Sequence, residues 1–230
     1  FAVHGGEIMG IAGLAGNGQD QLLEIFSAQV RPNAGKLVFD DQDITDLPCA
    51  ARRMLGIHCV PEERLGHAAV PEMSLALNAC LTARERQNFV SRYGFLDFTR
   101  IESFTKDLVA RFNVKTQGID HQAMSLSGGN LQKFIMGREI MQNPNLLVAL
   151  QPTWGVDAGS AHAIHQELLN LAKAGAAILV ISQDLDELFA IANRIAVICE
   201  GVLSETYDTN MLTPESIGLL MSGQEIQSDI

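Results

Sequence analysis

Leu126-Ser127-Gly128-Gly129-Asn130-Leu131-Gln132-Lys133 heads a segment, Asn130 to Met141, whose apolar spacing predicts a helix. Ser127 is a suitable N-cap, and a helix N-terminus opened by two glycines leaves backbone N–H groups facing outward, an arrangement suited to an anion. Upstream, from about Leu65 to Met124, strand signals are few, and Leu75 to Arg84 and Ile101 to Phe112 read as helices. Downstream, the apolar runs Leu146 to Leu150 and Ala176 to Ser182 read as buried parallel strands, with a helix over Ala161 to Ala172 between them. A helix over Leu185 to Ala192, a strand over Ile195 to Cys199, a hairpin through Glu200-Gly201 into Val202 to Tyr207, and a helix over Thr213 to Met221 follow. Strands alternating with helices predict an α/β fold with a parallel sheet.

A second glycine-rich stretch, Gly13-Leu14-Ala15-Gly16-Asn17-Gly18-Gln19-Asp20, follows the apolar run Ile8 to Leu14 and precedes helical spacing over Gln21 to Val30. Strand, glycine turn and helix are the setting of a P-loop, G-x-x-x-x-G-K-[ST], whose backbone N–H groups cradle phosphates. Both end glycines are present, but Gln19 replaces the lysine and Asp20 the hydroxyl residue. At an effective dielectric of about 20, a charge pair near 4 Å is worth roughly 4 kcal/mol, about a thousandfold in affinity. Asp20 either repels phosphate or ligates Mg²⁺ directly through its carboxylate. Beyond the loop, Pro32 to Gly35 forms a turn, Lys36 to Phe39 a strand, Asp40-Asp41-Gln42-Asp43 a solvated acidic turn, and Gly56 to Val60 a strand stopped at Pro61.

The stretch Leu126 to Lys133 resembles the signature of ABC ATPases, in the LSGGNxQK form of sugar and nucleoside importers. The resemblance extends along the chain. Val60-Pro61-Glu62-Glu63-Arg64 resembles the Q-loop, with Glu62 in the glutamine slot. Leu146 to Thr153 resembles the Walker B strand, with Leu150 and Gln151 where aspartate and glutamate are usual. Trp154-Gly155-Val156-Asp157 matches the D-loop, and Ile181 to Glu187 resembles the switch segment, with Gln183 in the histidine slot. Ile217 to Gly223 is similar to the end of nucleoside-type subunits. The family's adenine-stacking aromatic is expected upstream of Phe1.

The resemblance implies a P-loop NTPase core of the ABC ATPase type, with a parallel sheet, a helical subdomain and antiparallel β elements. The implied core covers about 1–64 and 131–205, the helical subdomain about 65–130, and a C-terminal extension 206–230. Lysine, metal aspartate, catalytic base and switch histidine are all absent: Leu150 offers no oxygen, and Gln151 positions water but accepts no proton. The chain's own ATP site, formed by Gly13, Gly16, Asn17, Gly18, Gln19, Asp20 and Gln21, is therefore expected to be weak and to bind no metal. Ser127, Gly128, Gly129, Asn130 and Asp157 are implied to act in trans, on ATP and Mg²⁺ held by a second nucleotide-binding domain. Further implied partners are transmembrane permease subunits and an extracytoplasmic substrate-binding protein, at the cytoplasmic face of the membrane. Two other readings stand beside this one: a regulatory module that binds no nucleotide, and a soluble, non-transport ABC ATPase.

Composition agrees with a globular chain: 230 residues, 47% apolar and 19% charged. A net charge of −11 argues against a nucleic-acid partner. No run of about 18 apolar residues appears. The start at Phe1, without Met, suggests an excised piece of a longer polypeptide. Cys49, Cys59, Cys80 and Cys199 lack metal-ligand spacing and read as buried free thiols in a reducing compartment. His162 and His165 sit three apart on a predicted helix and are not expected to hold a metal. Arg52, Arg53 and Arg64 are expected at the surface, with contact to phosphate or a transmembrane partner as the alternative, Arg138 in a salt bridge, and Trp154 at either a dimer contact or a core position.

Overall fold

The computed structural model describes residues 1–224, so positions 225–230 of the expected C-terminal extension lie outside the described residues. Along the chain the elements are β1 (Ile8–Ala12), α1 (Gln19–Phe26), β2 (Val38–Phe39), β3 (Gln42–Asp43), α2 (Cys49–Met54) and β4 (Ile57–Val60). Next come α3 (Leu75–Ala83), α4 (Phe98–Arg111), α5 (Gly128–Ile140), β5 (Leu146–Leu150) and α6 (Ala158–Lys173). The chain closes with β6 (Ala177–Ser182), α7 (Leu185–Ile191), β7 (Arg194–Cys199), β8 (Val202–Leu203), β9 (Tyr207–Asp208) and α8 (Pro214–Met221). Two compact units result: Phe1–Cys59, Asn145–Gln151 and Leu169 onward make the first, Val60–Pro144 and Pro152–Leu168 the second.

The first unit carries the sheet, in the order β4-β5-β6-β1-β7-β8, with β9 also on β7. β5, β6, β1 and β7 pair in parallel, while β8 and β9 run antiparallel to β7. Continuous apolar strands are explained by burial of both faces. On one face Met9, Ile11, Val148, Leu150, Leu179 and Ile181 join Leu23 and Phe26 of α1 in the core. On the other, a Cβ at Gly10 would stand 3.1 Å from the Leu188 side chain and 3.3 Å from that of Ala192.

The second unit is helical, with α3, α4 and α5 packed on one another. Every residue of α5 from Leu131 to Ile140 is buried. A Cβ at Gly137 would come within 2.6 Å of the Phe112 ring, so this helix admits close approach by α4's C-terminal end. Arg138 is buried against Glu139 (2.8 Å) and donates to the carbonyls of Asn78 and Ala68, at 3.2 and 2.9 Å. The salt bridge expected of Arg138 is present.

Several expectations need correction. Helices begin earlier than apolar spacing suggested because caps lie outside it: Asp97 accepts from Arg100 N–H, and Asp157 from Ser160 N–H. α1 starts at Gln19 and stops at Phe26, short of Val30, because Ala28 takes a left-handed backbone (φ 63°). The acidic turn is a hairpin: Asp40 and Asp41 adopt positive φ (50° and 62°), and Gln42–Asp43 returns as β3. The short helix α2 was not foreseen. Arg52, expected at the surface, is 2% exposed. Its guanidinium donates to the carbonyls of Ile25, Phe26 and Thr45, and its Nε to that of Leu47, so it satisfies the C-terminal end of α1. Among the cysteines only Cys80 is buried, and Cys49 is exposed. Trp154 is 63% exposed and fills no core.

Arg52→Ala strips four carbonyls of their buried donor and should destabilise the protein by about 3 kcal/mol. The check is urea unfolding: a lower midpoint at unchanged slope. Arg31→Ala, whose ion pair with Asp46 is about 80% exposed on both sides, should shift stability by less than about 0.5 kcal/mol.

Candidate functional site

In the first unit, register brings three loops to one edge of the sheet. Ala12 lies opposite Ser182, and Leu150 opposite Ile181. Gly13, Gln151 and Gln183 thus leave their strands at the carboxyl edge, where open parallel sheets hold ligands. Leu150 itself is core, 2% exposed. Gln151 is buried in a left-handed conformation (φ 52°); its N–H donates to Ile181 O at 2.8 Å and its Oε1 accepts from Ser182 Oγ at 3.4 Å. Gln183 is exposed in the bend after β6, just before Asp184, the N-cap of α7.

The loop Gly13 to Gly18 is curled as a phosphate cradle requires, with Gly16 and Gly18 at φ 84° and 108°. Gln19 does not reach outward from it. Its side chain is buried and folded back: Nε2 donates to Leu14 O at 2.6 Å, and Oε1 accepts from Asn17 N–H at 3.0 Å. An N–H of the cradle is thereby consumed by the chain itself. Asn17 also ties the loop to the β7–β8 turn, accepting from Glu200 N at its Oδ1 (2.7 Å) and from Gly201 N at its carbonyl (3.0 Å). Asp20 is exposed in the first turn of α1, where the helix dipole favours a carboxylate, and Gln21 is exposed beside it. Among the described residues no group of three or more His, Cys, Asp or Glu side chains is placed to hold a metal. A cavity of about 850 Å³ adjoins the loop; Phe1, Leu22, Ile25, Ile198 and Leu203 supply its apolar wall beside Gly16 to Gly18. Phe1 was not foreseen there, since the adenine-stacking aromatic was expected further upstream.

The second unit holds the other glycine turn. Ser127 precedes α5 but its side chain does not cap the helix, contrary to expectation. The reason is Asn130, whose Nδ2 donates to Ser127 Oγ at 2.9 Å, while its Oδ1 accepts from Lys115 N–H, also at 2.9 Å. The first helical bond runs from Leu131 N to Ser127 O (2.9 Å), so the N–H groups of Gly128, Gly129 and Asn130 have no intrahelical acceptor. Ser127 and Gly128 are exposed. The exposed hydroxyl and the first-turn amides together form a clamp suited to an anion. Lys133 is turned inward, donating to Asn113 O at 2.7 Å, and is structural.

The D-loop turn lies against this clamp. A Cβ on Gly129 would stand 3.3 Å from Gly155 O. Gln132, 1% exposed, donates to Pro152 O at 2.9 Å. Asp157 caps α6, accepting from Ser160 N (3.0 Å) and Ser160 Oγ (2.7 Å), and the hydroxyl and amide bonds hold its carboxyl below the usual range. Glu62 is exposed. Arg64, expected at the surface or against phosphate or a transmembrane partner, is half-buried: Nε donates to Gln132 Oε1 at 3.0 Å, and Nη2 to Trp154 O. Burial draws its pKa below the usual guanidinium value, against the opposing charge of Glu62.

A family profile described as ABC transporter matches residues 1–153. The chain belongs to the ABC transporter family. Its similar relatives include the nucleoside import ATP-binding protein NupA of Lactococcus lactis subsp. cremoris, 38% identical over 97% of this chain and 44% of that protein. The guanosine import ATP-binding protein NupO of Bacillus subtilis is 35% identical over 97% and 44%. The galactose/methyl galactoside import ATP-binding protein MglA of Escherichia coli is 33% identical over 96% and 44%. The chain thus spans less than half the length of each of these relatives. The dimeric bacterial ABC transporter cassette MJ0796 shares the fold at a TM-score of 0.77, with 21% identity over 91% of this chain and 88% of that one. An ATP-binding subunit of an ABC transporter does so at 0.78, with 17% identity over 96% and 90%. The α/β P-loop NTPase fold, with its mostly parallel sheet, is that of the family.

Gln19 departs from the P-loop pattern in two separable ways: it carries no charge, and its side chain is lodged in the loop. Gln19→Lys with Asp20→Ser removes both and should tighten ATP binding by about a hundredfold or more in calorimetry. Turnover should rise far less, since Leu150 and Gln151 remain. Unchanged affinity would refute this account of the loop.

Proposed function

We propose that this chain is the degenerate nucleotide-binding half of a tandem ATP-binding subunit in an importer of nucleosides or simple sugars. Its work is to complete the ATP site of a second nucleotide-binding domain. The observation that carries this reading is the contrast between the two glycine turns. The turn at Ser127 to Asn130 keeps its first-turn amides without intrahelical acceptors and its hydroxyl exposed, whereas the P-loop spends Asn17 N–H on Gln19. The chain's own face does not fit Mg²⁺–ATP: its loop is internally filled, the metal-aspartate slot is Leu150, and the base slot is Gln151. The signature turn, by contrast, suits the γ-phosphate of ATP held in the P-loop of the partner domain, with Mg²⁺ there and Asp157 at the same seam.

The names of the relatives support the cargo class: nucleosides or guanosine for two, galactose and methyl galactoside for a third. Importers of this kind bring two further partners, transmembrane permease subunits and an extracytoplasmic substrate-binding protein, and set the chain at the cytoplasmic face of the membrane. No helix among the described residues is long and apolar enough to cross a membrane. On the proposed reading, attachment runs through the permease. A groove of about 640 Å³ in the helical unit, walled by Met73, Leu77, Leu81, Val90 and Leu96, supplies apolar surface for it. The helical subdomain assigned to about 65–130 is the segment that carries this groove.

The chain alone should hydrolyse ATP at no more than background, read by phosphate release; turnover at the rate of an ordinary ABC domain would end the reading. In the assembled complex of the full-length protein, Ser127→Arg should abolish ATPase activity and uptake together. Retained activity would put the signature outside catalysis.

A further inference from the structure

Arg64 sits just beyond the Q-loop position, yet its side chain serves two other motifs. We propose that Arg64 is a positioning residue: its forked guanidinium fastens the first turn of the signature helix to the D-loop turn, so that both meet the partner's nucleotide as one rigid surface. The proposal rests on the trans-acting reading of the signature given above.

The geometry is a closed brace inside the helical unit. Arg64 Nε donates to Gln132 Oε1 (3.0 Å), Gln132 Nε2 donates to Pro152 O (2.9 Å), and Arg64 Nη2 donates to Trp154 O. Gln132 lies on α5 one turn beyond Gly128, so one end of the brace is the signature helix and the other is the backbone leading to Asp157. The guanidinium reaches both only because two side chains are missing. A Cβ at Gly128 would stand 2.8 Å from Arg64 Nη1, and one at Gly155 3.1 Å from Nη2. The base of the arginine is itself anchored. Its carbonyl accepts from Ala69 N at 2.8 Å, that of Glu63 from Ala68 N at 3.1 Å, and the buried Arg138 of α5 grips Ala68 O. A planar fork with divergent donors makes such a brace, and an ammonium does not. Among the described residues no carboxylate forms an ion pair with Arg64, so its hydrogen bonds, and not a salt bridge, hold it.

ATP in the ground state is held by the partner's own P-loop, so misalignment of this surface should be felt in the transition state. Such a defect lowers kcat and leaves KM largely alone. The test uses the full-length protein in its assembled complex. Arg64→Ala should lower kcat for ATP at least tenfold, with KM within twofold. Arg64→Lys should do no better despite its charge. Free guanidinium at low millimolar concentration should restore Arg64→Ala at least threefold, whereas methylammonium should not. That rescue is a readout that a general folding defect would not produce. Wild-type kcat in Arg64→Ala, full activity in Arg64→Lys, or no response to guanidinium would each overturn the proposal. If Ser127→Arg abolishes activity while the Arg64 variants are silent, the brace fails and the trans-acting signature stands. If Ser127→Arg is silent too, the reading beneath it fails.

Discussion

Parallel pairing of β1 with β6 is the constraint on which the first unit depends. With Ile8 to Ala12 held opposite Ile178 to Ser182, and Leu150 opposite Ile181, the loops after β1, β5 and β6 must emerge side by side. Apolar burial on both faces drives the pairing, through Met9, Ile11, Leu179 and Ile181 on one side and Leu188 on the other. The arrangement of these three loops is therefore assembled by forces indifferent to any ligand.

The two glycine turns differ in how their own side chains engage the loop. One is a helix N-terminus preceded by Gly18, the other a helix N-terminus that opens on Gly128 and Gly129. At the signature, Asn130 engages the serine oxygen, so the hydroxyl does not fold back onto the helix. At the P-loop, Gln19 is long enough to curl into the nest and has both a donor and an acceptor to spend there. A lysine has no acceptor for Asn17 N–H. Substituting an amide for an ammonium thus changes more than charge: it supplies the loop with an internal surrogate for the ligand.

The sheet and most helices were legible because their signals are local. Leu146 to Leu150 and Ala177 to Ser182 are unbroken apolar runs, and β1 ends in a glycine turn. Arg138 was also read correctly, as half of an ion pair. What escaped was decided by distant or rotameric choices. Arg52 looked like a surface charge because its four acceptors, from Ile25 to Leu47, are backbone carbonyls that no composition reveals. α2 is six residues long, too short for periodicity to register. The return strand after Asp40 and Asp41 hid within an acidic cluster, since the left-handed backbone of that pair, not its charge, makes the turn. At the candidate site the glycine turns were readable as turns opening helices, but the infolding of Gln19 and the reach of Arg64 were not.

Gly13 carries one more lesson. A methyl group there would collide with Ile198, 2.5 Å from its Cγ2 and 2.8 Å from its carbonyl oxygen. The residue that opens the phosphate-loop fingerprint is thus demanded by the neighbouring strand, whatever does or does not bind. A glycine can satisfy a phosphate-loop fingerprint for reasons of packing alone, and its presence there carries no information about the chemistry of the loop.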